Sequence, residues 1–176
     1  MELMVFEDER GSFHEIWQRR RYADLGIDAE FVQDNRSVTR RKVLRGLHYQ
    51  IEHPQGHLVT VSHGRVLDVG VDLRPNSPTF GRWTANELSD SQPRQIYLPP
   101  GIAHGFCVLS ERAELLYKCT DFYYPEDEGG LLWSDPDVAV RWPLTDPIVS
   151  DRDNAFLPLK DIPASRLPKA PFGQTT

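Results

Sequence analysis

The sequence predicts an all-β fold, a jelly roll in which two sheets pack as a sandwich or barrel with a few short helices. Several short runs rich in β-branched and aromatic residues are separated by Pro, Gly, Asn and Ser. In one of them, residues 67–73, apolar and polar residues alternate strictly. Only one segment favours a helix. Many short strands with little helix indicate a sandwich or barrel rather than a parallel α/β sheet.

The N-terminal segment mixes charged residues with Phe6 and Phe13 around Arg10 and Gly11. This pattern predicts an extended arm or a hairpin that ends near residue 15. Residues 17–25 are predicted to form one short helix, which Gly26 ends.

Strands dominate the rest of the chain. Two β-rich runs between residues 58 and 73 flank His63 and Gly64, which we interpret as a hairpin turn. The alternation in the second run predicts one core face and one polar face. Further strands are predicted at residues 31–38, 95–98, 105–109 and 114–119.

Length and prolines divide the chain into one domain and a tail. The chain has 176 residues, so we predict a single jelly-roll domain over residues 1–153. Residues 154–176 contain Pro158, Pro163, Pro168 and Pro171. They are either a strap laid over the domain or partly disordered, and the sequence leaves both open.

Composition excludes some classes of function. A formal charge of −6 argues against a nucleic-acid or membrane-surface role that rests on overall charge. No apolar run approaches the roughly 20 residues needed to cross a bilayer. The two cysteines and a start without signal-peptide features favour a reducing, cytoplasmic location. An anionic ligand would need a local group of cations, and residues 36–45 contain one: Arg36, Arg40, Arg41, Lys42 and Arg45. Of these, Arg40, Arg41 and Lys42 are predicted to form a solvated basic face.

Two histidine-containing segments are the candidates for chemistry. Residues 43–50 bring Arg45 and His48 together, and histidine is the side chain best suited to move protons near neutral pH. The sequence PPGIAH at 99–104 has the spacing of the second cupin motif, with His104 directed into the barrel. The alternative at this position is a metal site formed by His104 with His48, His53 or His57. We predict no metal, because the histidine pair and glutamate of the first cupin motif are missing.

Eight short motifs occur together in an order that resembles the dTDP-4-dehydrorhamnose 3,5-epimerases. The resemblance runs from about Phe6 to Asp153. The motifs are DERG at 8–11, VQDN at 32–35, VLRGLHYQ at 43–50, DV at 68–69 with VDLR at 71–74, SPTFG at 77–81, AHGF at 103–106, LYK at 116–118 and SDRD at 150–153.

The resemblance implies a homodimeric cupin-type jelly roll that needs no cofactor and acts on a dTDP-linked or other nucleotide-linked 4-keto-6-deoxy sugar. Inverting a carbon next to a ketone requires a base, an acid on the opposite face and stabilisation of the enolate oxygen. His48 matches the family's base, Asp153 the carboxylate that holds this imidazole, and Tyr117 the proton donor.

The resemblance also implies a set of substrate contacts. Arginines suit a diphosphate because their guanidinium groups bind phosphate oxygens in a fork. In the family the N-terminal arm reaches into the site of the neighbouring subunit. The positions that match ligand contacts are Phe6, Arg10, Phe13, Glu15, Gln33, Asn35, Arg45, His104, Glu128 and Arg152.

The chain departs from the family pattern at QGHLV, residues 55–59, where His57 replaces a lysine that contacts the C4 oxygen. We expect His57 to face this oxygen, or else its task to pass to His104 or water. Alternatives to the full epimerase are inversion at C3 or C5 only, a cupin that binds a nucleotide sugar without turnover, and a metal-dependent cupin enzyme.

Overall fold

The computed structural model describes residues 1–170 and is composed mainly of strands. The strands are β1 (Val5–Asp8), β2 (Gly11–His14), β3 (Gln33–Arg40), β4 (Leu44–Gln50), β5 (His57–His63), β6 (Arg65–Asp72), β7 (Trp83–Ser89), β8 (Gln95–Leu98), β9 (Ile102–Val108), β10 (Arg112–Cys119) and β11 (Glu128–Gly130). The helices are α1 (Arg19–Asp24), α2 (Asp151–Asn154) and the 3₁₀ turns Pro125–Asp127, Leu159–Asp161 and Ala164–Arg166. The predicted all-β fold with a few short helices is confirmed.

Nine of these strands form two antiparallel sheets. The four-stranded sheet has the order β3-β10-β5-β8, and the five-stranded sheet has the order β11-β4-β9-β6-β7. The remaining two strands, β1 and β2, pair only with each other and form the predicted N-terminal hairpin.

An apolar core fills one end of the space between the two sheets. It joins Val59 and Leu115 of the four-stranded sheet to Val66, Phe106 and Val108 of the five-stranded sheet. Leu115, Val59 and Val66 are fully buried, so this end of the barrel is closed by side chains.

A second core covers the outer face of the five-stranded sheet. Leu47, Val69 and Val71 point outward from the sheet because strand residues alternate between faces. The C-terminal part of the chain packs on them through Leu159 and Ile162. Farther on, the backbone N–H of Lys169 donates to the carbonyl of Ile51 at 2.8 Å. Residues 171–176 of the predicted tail, including Pro171, lie outside the described residues.

Helix α1 and the segment after it cover the outer face of the four-stranded sheet. Tyr22 is buried there against Leu58, with Trp17 and Phe31 packed around them. The helix begins two residues later than predicted because the side chain of Gln18 caps it, accepting from the Arg21 N–H at 2.7 Å.

One expectation about residues 58–73, the hairpin at His63 and Gly64, is corrected. The chain does turn at Gly64, but β5 pairs with β10 and β8, and β6 pairs with β7 and β9. The turn is therefore a corner between sheets and not a hairpin. The predicted polar face of β6 is itself buried, since Asp68 and Asp72 are 0% and 5% exposed.

Within residues 1–170, no helix has the length and apolar character needed to span a membrane.

Candidate active site

An open cleft lies between the two sheets at the end opposite the apolar core. Its volume is about 390 Å³. The predicted site residues that line it are Gln33, Asn35, Arg45, His48, His57, His104, Tyr117, Glu128 and Arg152. A larger groove of about 570 Å³ lies beside β7 and β8 and contains none of the predicted site residues.

On the five-stranded sheet, His48 forms a pair with Asp153 of α2. Nε2 of His48 lies 2.9 Å from Oδ1 of Asp153, and the two side chains are 28% and 3% exposed. Nδ1 of His48 makes no hydrogen bond within the described residues. This arrangement leaves one nitrogen of a carboxylate-bound imidazole for a ligand in the cleft.

Hydrogen bonds keep the Asp153 carboxylate ionised despite its burial. Burial by itself favours the neutral acid, but bonds from His48 and from the backbone N–H of Gly46 outweigh it and lower the pKa of Asp153 to about 2. The hydroxyl of Ser150 accepts from the Asp153 N–H at 3.1 Å and caps α2. Asp153 is thus an anion held in place beside the imidazole of His48.

Gly46 is required where β4 approaches β9. Its φ is +115°, and a Cβ there would lie 2.6 Å from Cα of Gly105 and 2.7 Å from the carbonyl oxygen of His104. This close approach directs the Gly46 N–H to Oδ2 of Asp153 at 3.0 Å. The glycine within VLRGLHYQ therefore serves the carboxylate as well as the strand.

Tyr117 stands on the four-stranded sheet, across the cleft from the sheet that carries His48. Burial raises the pKa of Tyr117, Cys119 acts in the same direction, and Arg45 and Asn35 oppose the shift. The phenol consequently keeps its proton at neutral pH. The imidazole of His48 and the phenol of Tyr117 thus reach the cleft from different sheets.

Cations at the cleft are held by neighbouring side chains. Nε of Arg45 donates to the hydroxyl of the buried Thr39 at 3.2 Å. Arg152 forms an ion pair with Glu128, and its Nη2 lies 3.5 Å from Nε2 of His48. Glu128 also accepts from the hydroxyl of Tyr123 at 3.0 Å.

His57 lies in the cleft between His104 and Tyr117. The ring centroids are 5.4 Å and 5.6 Å away, respectively. Burial, followed by repulsion from His104 and His48, lowers the pKa of His57 to about 3. Its Nε2 lies 3.3 Å from Oε1 of Gln55. His57 is therefore a neutral imidazole and does not supply the permanent charge of a lysine.

His104 has its own buried carboxylate partner. Its Nε2 lies 2.8 Å from Oδ2 of Asp68, and the His104 and Asp68 side chains are 10% and 0% exposed. The cleft therefore holds two imidazole–carboxylate pairs on neighbouring strands, because His48 of β4 and His104 of β9 are directly paired.

The four arm residues among the predicted contacts do not line this cleft. Arg10 binds Asp8 across the hairpin turn, and Glu15 binds Arg21 at 2.8 Å. Phe6 and Phe13 are 57% and 68% exposed. These side chains remain predictions for a site formed with a second subunit.

The sequence analysis missed several residues that shape the site, namely Thr39, Gly46, Gln55, Asp68, Tyr123 and Ser150. In the sequence, Asp68 stands out only as part of the motif DV at 68–69 and as a polar residue of an alternating strand. Among residues 1–170, no group of three or more His, Cys, Asp or Glu side chains has the arrangement to hold a metal ion.

An antiparallel double sheet with imidazole–carboxylate pairs at its open end is the architecture of a cupin-type protein. The family model for dTDP-4-dehydrorhamnose 3,5-epimerase matches residues 1–161. The enzyme of that name from Pseudomonas aeruginosa is 52% identical over 151 residues, covering 85% of this chain and 83% of the relative. The chain belongs to the dTDP-4-dehydrorhamnose 3,5-epimerase family.

Solved structures show the same fold. The epimerase from Legionella pneumophila in complex with dTDP-4-keto-L-rhamnose has a TM-score of 0.93 and 48% identity, covering 97% of this chain and 92% of that one. A 3′-monoepimerase from Streptomyces bikiniensis in complex with dTDP-quinovose has a TM-score of 0.86 and 34% identity, covering 91% and 82%. Both double and single epimerases therefore share this architecture.

Proposed function

We propose that the protein inverts C3 and C5 of a dTDP-linked 4-keto-6-deoxyhexose. The observation that carries the proposal is the His48–Asp153 pair on one sheet with a protonated Tyr117 on the other. Removal of a proton from one face of a sugar and its return to the other need two groups on opposite sides of the ring.

His48 is the proposed base. Its free Nδ1 takes the proton from the carbon beside the C4 ketone, the C–H electron pair forms a C=C bond, and the carbonyl pair moves to the C4 oxygen. Asp153 stabilises the imidazolium that results. No group other than the side chains and the substrate's ketone enters the step.

Tyr117 is the proposed acid. Its hydroxyl protonates the enolate carbon from the opposite face, and the carbonyl re-forms. The tyrosinate then takes a proton from water while His48 releases one to water, which restores both groups. A positioned acid or base of this kind contributes about 10²- to 10⁴-fold in rate.

The diphosphate is the proposed ligand of the arginines. Arg45 is anchored by Thr39 and stands at the cleft, and Arg152 is held at its rim by Glu128. Gln33 and Asn35 are joined by a hydrogen bond of 3.1 Å and offer polar contacts on the Tyr117 side. The proposed reaction takes place in the cytoplasm and needs no cofactor.

We also propose a homodimer in which each arm completes the neighbouring site. The exposed Phe6 and Phe13 and the position of Arg10 outside its own cleft support an arm that acts on another subunit. Arg10→Ala and His48→Asn are each expected to be inactive alone. Mixed after unfolding and refolding together, they should regain about a quarter of normal activity, since half the dimers are mixed and each has one intact site.

The matched control is a mixture of His48→Asn with Tyr117→Phe. Both changes lie in the cleft of one subunit, so every site in that mixture is defective. Activity in the control, or none in the first mixture, would contradict arm exchange.

The reaction is tested by incubating the protein with dTDP-4-keto-6-deoxyglucose in deuterated water and following the sugar by NMR. Deuterium at C3 and C5 is the expected result. Deuterium at one carbon would show a mono-epimerase, which the likeness to the 3′-monoepimerase keeps as the second candidate. Tight binding without exchange would show a nucleotide-sugar-binding protein.

A further inference from the structure

Within the described residues, the Asp68 side chain has no hydrogen-bond partner other than His104. Asp68 is completely buried, its Oδ2 contacts only His104, and its Oδ1 is buried without a hydrogen-bond partner in the described part of the chain. An ionised carboxylate with this environment is costly unless its charge is balanced at short range. His104 is the group in position to balance it.

This charge balance determines where the hydrogens of His104 lie. If Asp68 is ionised, His104 is an imidazolium and both ring nitrogens carry hydrogen. If Asp68 keeps the proton and donates it to Nε2, the neutral ring carries its hydrogen on Nδ1. A pair with no net charge therefore leaves an N–H at Nδ1 of His104 in either case.

Nδ1 of His104 is available to the cleft. His104 lines the cleft, and its Nδ1 neither makes a hydrogen bond within residues 1–170 nor belongs to the buried unpartnered atoms. The nitrogen therefore presents a donor to a bound ligand.

His57 has the opposite polarity. The amide of Gln55 is oriented by its Nε2, which donates to the carbonyl of Asp121 at 2.7 Å, so Oε1 faces His57. Because an amide oxygen only accepts, Nε2 of His57 carries the hydrogen. In the neutral ring, Nδ1 is then an acceptor and has no hydrogen for an enolate oxygen.

We propose that His104, positioned by Asp68, donates the hydrogen bond that stabilises the C4 oxygen during enolisation, and that His57 is an acceptor for a sugar hydroxyl or water. This inference rests on the proposed epimerase reaction. The hydrogen stays on His104 throughout, while the electron pair released from the C–H bond collects on the oxygen it faces.

The first test reads the hydrogens directly in the free protein. In protein labelled with ¹⁵N-histidine, two-bond proton–nitrogen spectra separate protonated from bare ring nitrogens, and His104→Ala and His57→Ala assign the signals. We expect hydrogen on Nδ1 of His104 and on Nε2 of His57. A bare Nδ1 on His104 would overturn the inference without affecting the proposed function.

The second test reads the C4 oxygen. With the substrate ¹³C-labelled at C4 and bound to His48→Asn, difference infrared spectra report the carbonyl stretch without turnover. We expect the bound C4 carbonyl to absorb at a lower frequency than the free ketone. This shift should disappear when His104→Ala is added and remain when His57→Ala is added. In the enzyme with His48 intact, exchange should fall at least about 100-fold for His104→Ala and less than about tenfold for His57→Ala.

Asp68→Leu extends the test to the positioning residue. The substitution removes the carboxylate that positions His104 and leaves an apolar side chain in its place. The lowering of the C4 carbonyl frequency should therefore shrink, while dTDP still binds. Normal exchange by the wild type with a carbonyl shift that depends on His57 alone would overturn this inference and leave the epimerase. Absence of sugar binding and exchange in the wild type would overturn both.

Discussion

His48 is held by one buried carboxylate, and its second nitrogen opens into the cleft. Replacing it by asparagine removes the proposed base but not the arginines proposed to bind the diphosphate. We expect His48→Asn to lower exchange at C3 and C5 by at least about 10²-fold, with dTDP affinity within about threefold of normal. Exchange measured by NMR and dTDP titration by calorimetry check this.

His63→Asn is the matched control, because His63 is an exposed histidine at the far end of β5. Its exchange rate should equal that of the unmodified protein. Equal rates for all three proteins would remove His48 from the mechanism.

In the proposed reaction Tyr117 returns a proton to the sugar from the opposite sheet, so its loss should separate proton exchange from inversion. We expect Tyr117→Phe to exchange protons slowly in deuterated water and to form little inverted sugar. Tyr97→Phe is the control, since Tyr97 is a tyrosine of the same sheet that packs on its outer face. Inverted product at the normal rate in Tyr117→Phe would refute its role as the acid.

Two buried groups should shape the dependence of stability on pH. In the unfolded chain His57 takes up a proton near pH 6.5, but in the folded protein only near pH 3. Protonation therefore favours the unfolded state, and the stability of the fold falls as the pH drops from 6.5 toward 3. The ionised Asp153 carboxylate makes its full contribution to the free energy of unfolding above pH 3.8. Roughly 2 to 3 kcal/mol of that stability is lost as the pH falls toward about 2. Urea unfolding from pH 7 to pH 4 should show a decline that His57→Gln makes shallower and Asp153→Asn does not.

At the scale of elements, the approach of β4 to β9 makes a sharper prediction. Gly46→Ala places a Cβ against the backbone of Gly105, so we expect a loss of stability of about 3 kcal/mol or more. We also expect the His48–Asp153 pair to be lost. Gly26→Ala is a matched control, because Gly26 has φ of +85° but no atom within 4 Å of an added Cβ. Urea denaturation of both variants separates the strain of a positive φ, about 1 kcal/mol, from the collision. Similar losses in the two variants would contradict the argument.

Local patterns predicted the elements well where a strand's own residues determine its state. Residues 95–98 form the predicted strand without change, and Gly26 follows the predicted helix. The pairing of β5 could not be predicted in this way, because its partners β10 and β8 lie far along the chain and local turn residues do not specify them. His48 and Asp153 are 105 positions apart, and only the resemblance to a family related them.

Asp68 shows why part of the site escaped sequence analysis. Alternation distinguishes the two faces of β6 but does not show that both are covered, one by the opposite sheet and one by the C-terminal segment. A polar residue on such a strand has the same periodicity whether it meets water or a buried imidazole. The difference arises only when β6 and β9 pair and bring Asp68 beside His104.

At the scale of the whole molecule, the C-terminal segment acts as a third layer over the five-stranded sheet. We expect Leu159→Ala to cost about 1 to 3 kcal/mol, because this side chain packs on the outer core. Lys160→Ala is its control in the same 3₁₀ turn, since Lys160 makes only an exposed ion pair with Asp137, worth at most about 1 kcal/mol. Urea unfolding curves measure both. Equal stability of the two variants would show that the segment does not support the sheet.

The corner at Gly64 also has a consequence for how fast the chain finds its structure. Because β5 and β6 enter different sheets, the turn between them does not nucleate a hairpin. The four-stranded sheet forms only when β8 and β10 pair with β3 and β5, which lie much nearer the N-terminus. In the five-stranded sheet β6 and β7 pair as chain neighbours, whereas β4 pairs with β9 and β11, which lie far along the chain. In a fold of such high contact order, the chain loses the entropy of closing long loops before most native contacts form to offset it. Refolding should accordingly be slow, on the scale of milliseconds to seconds or longer.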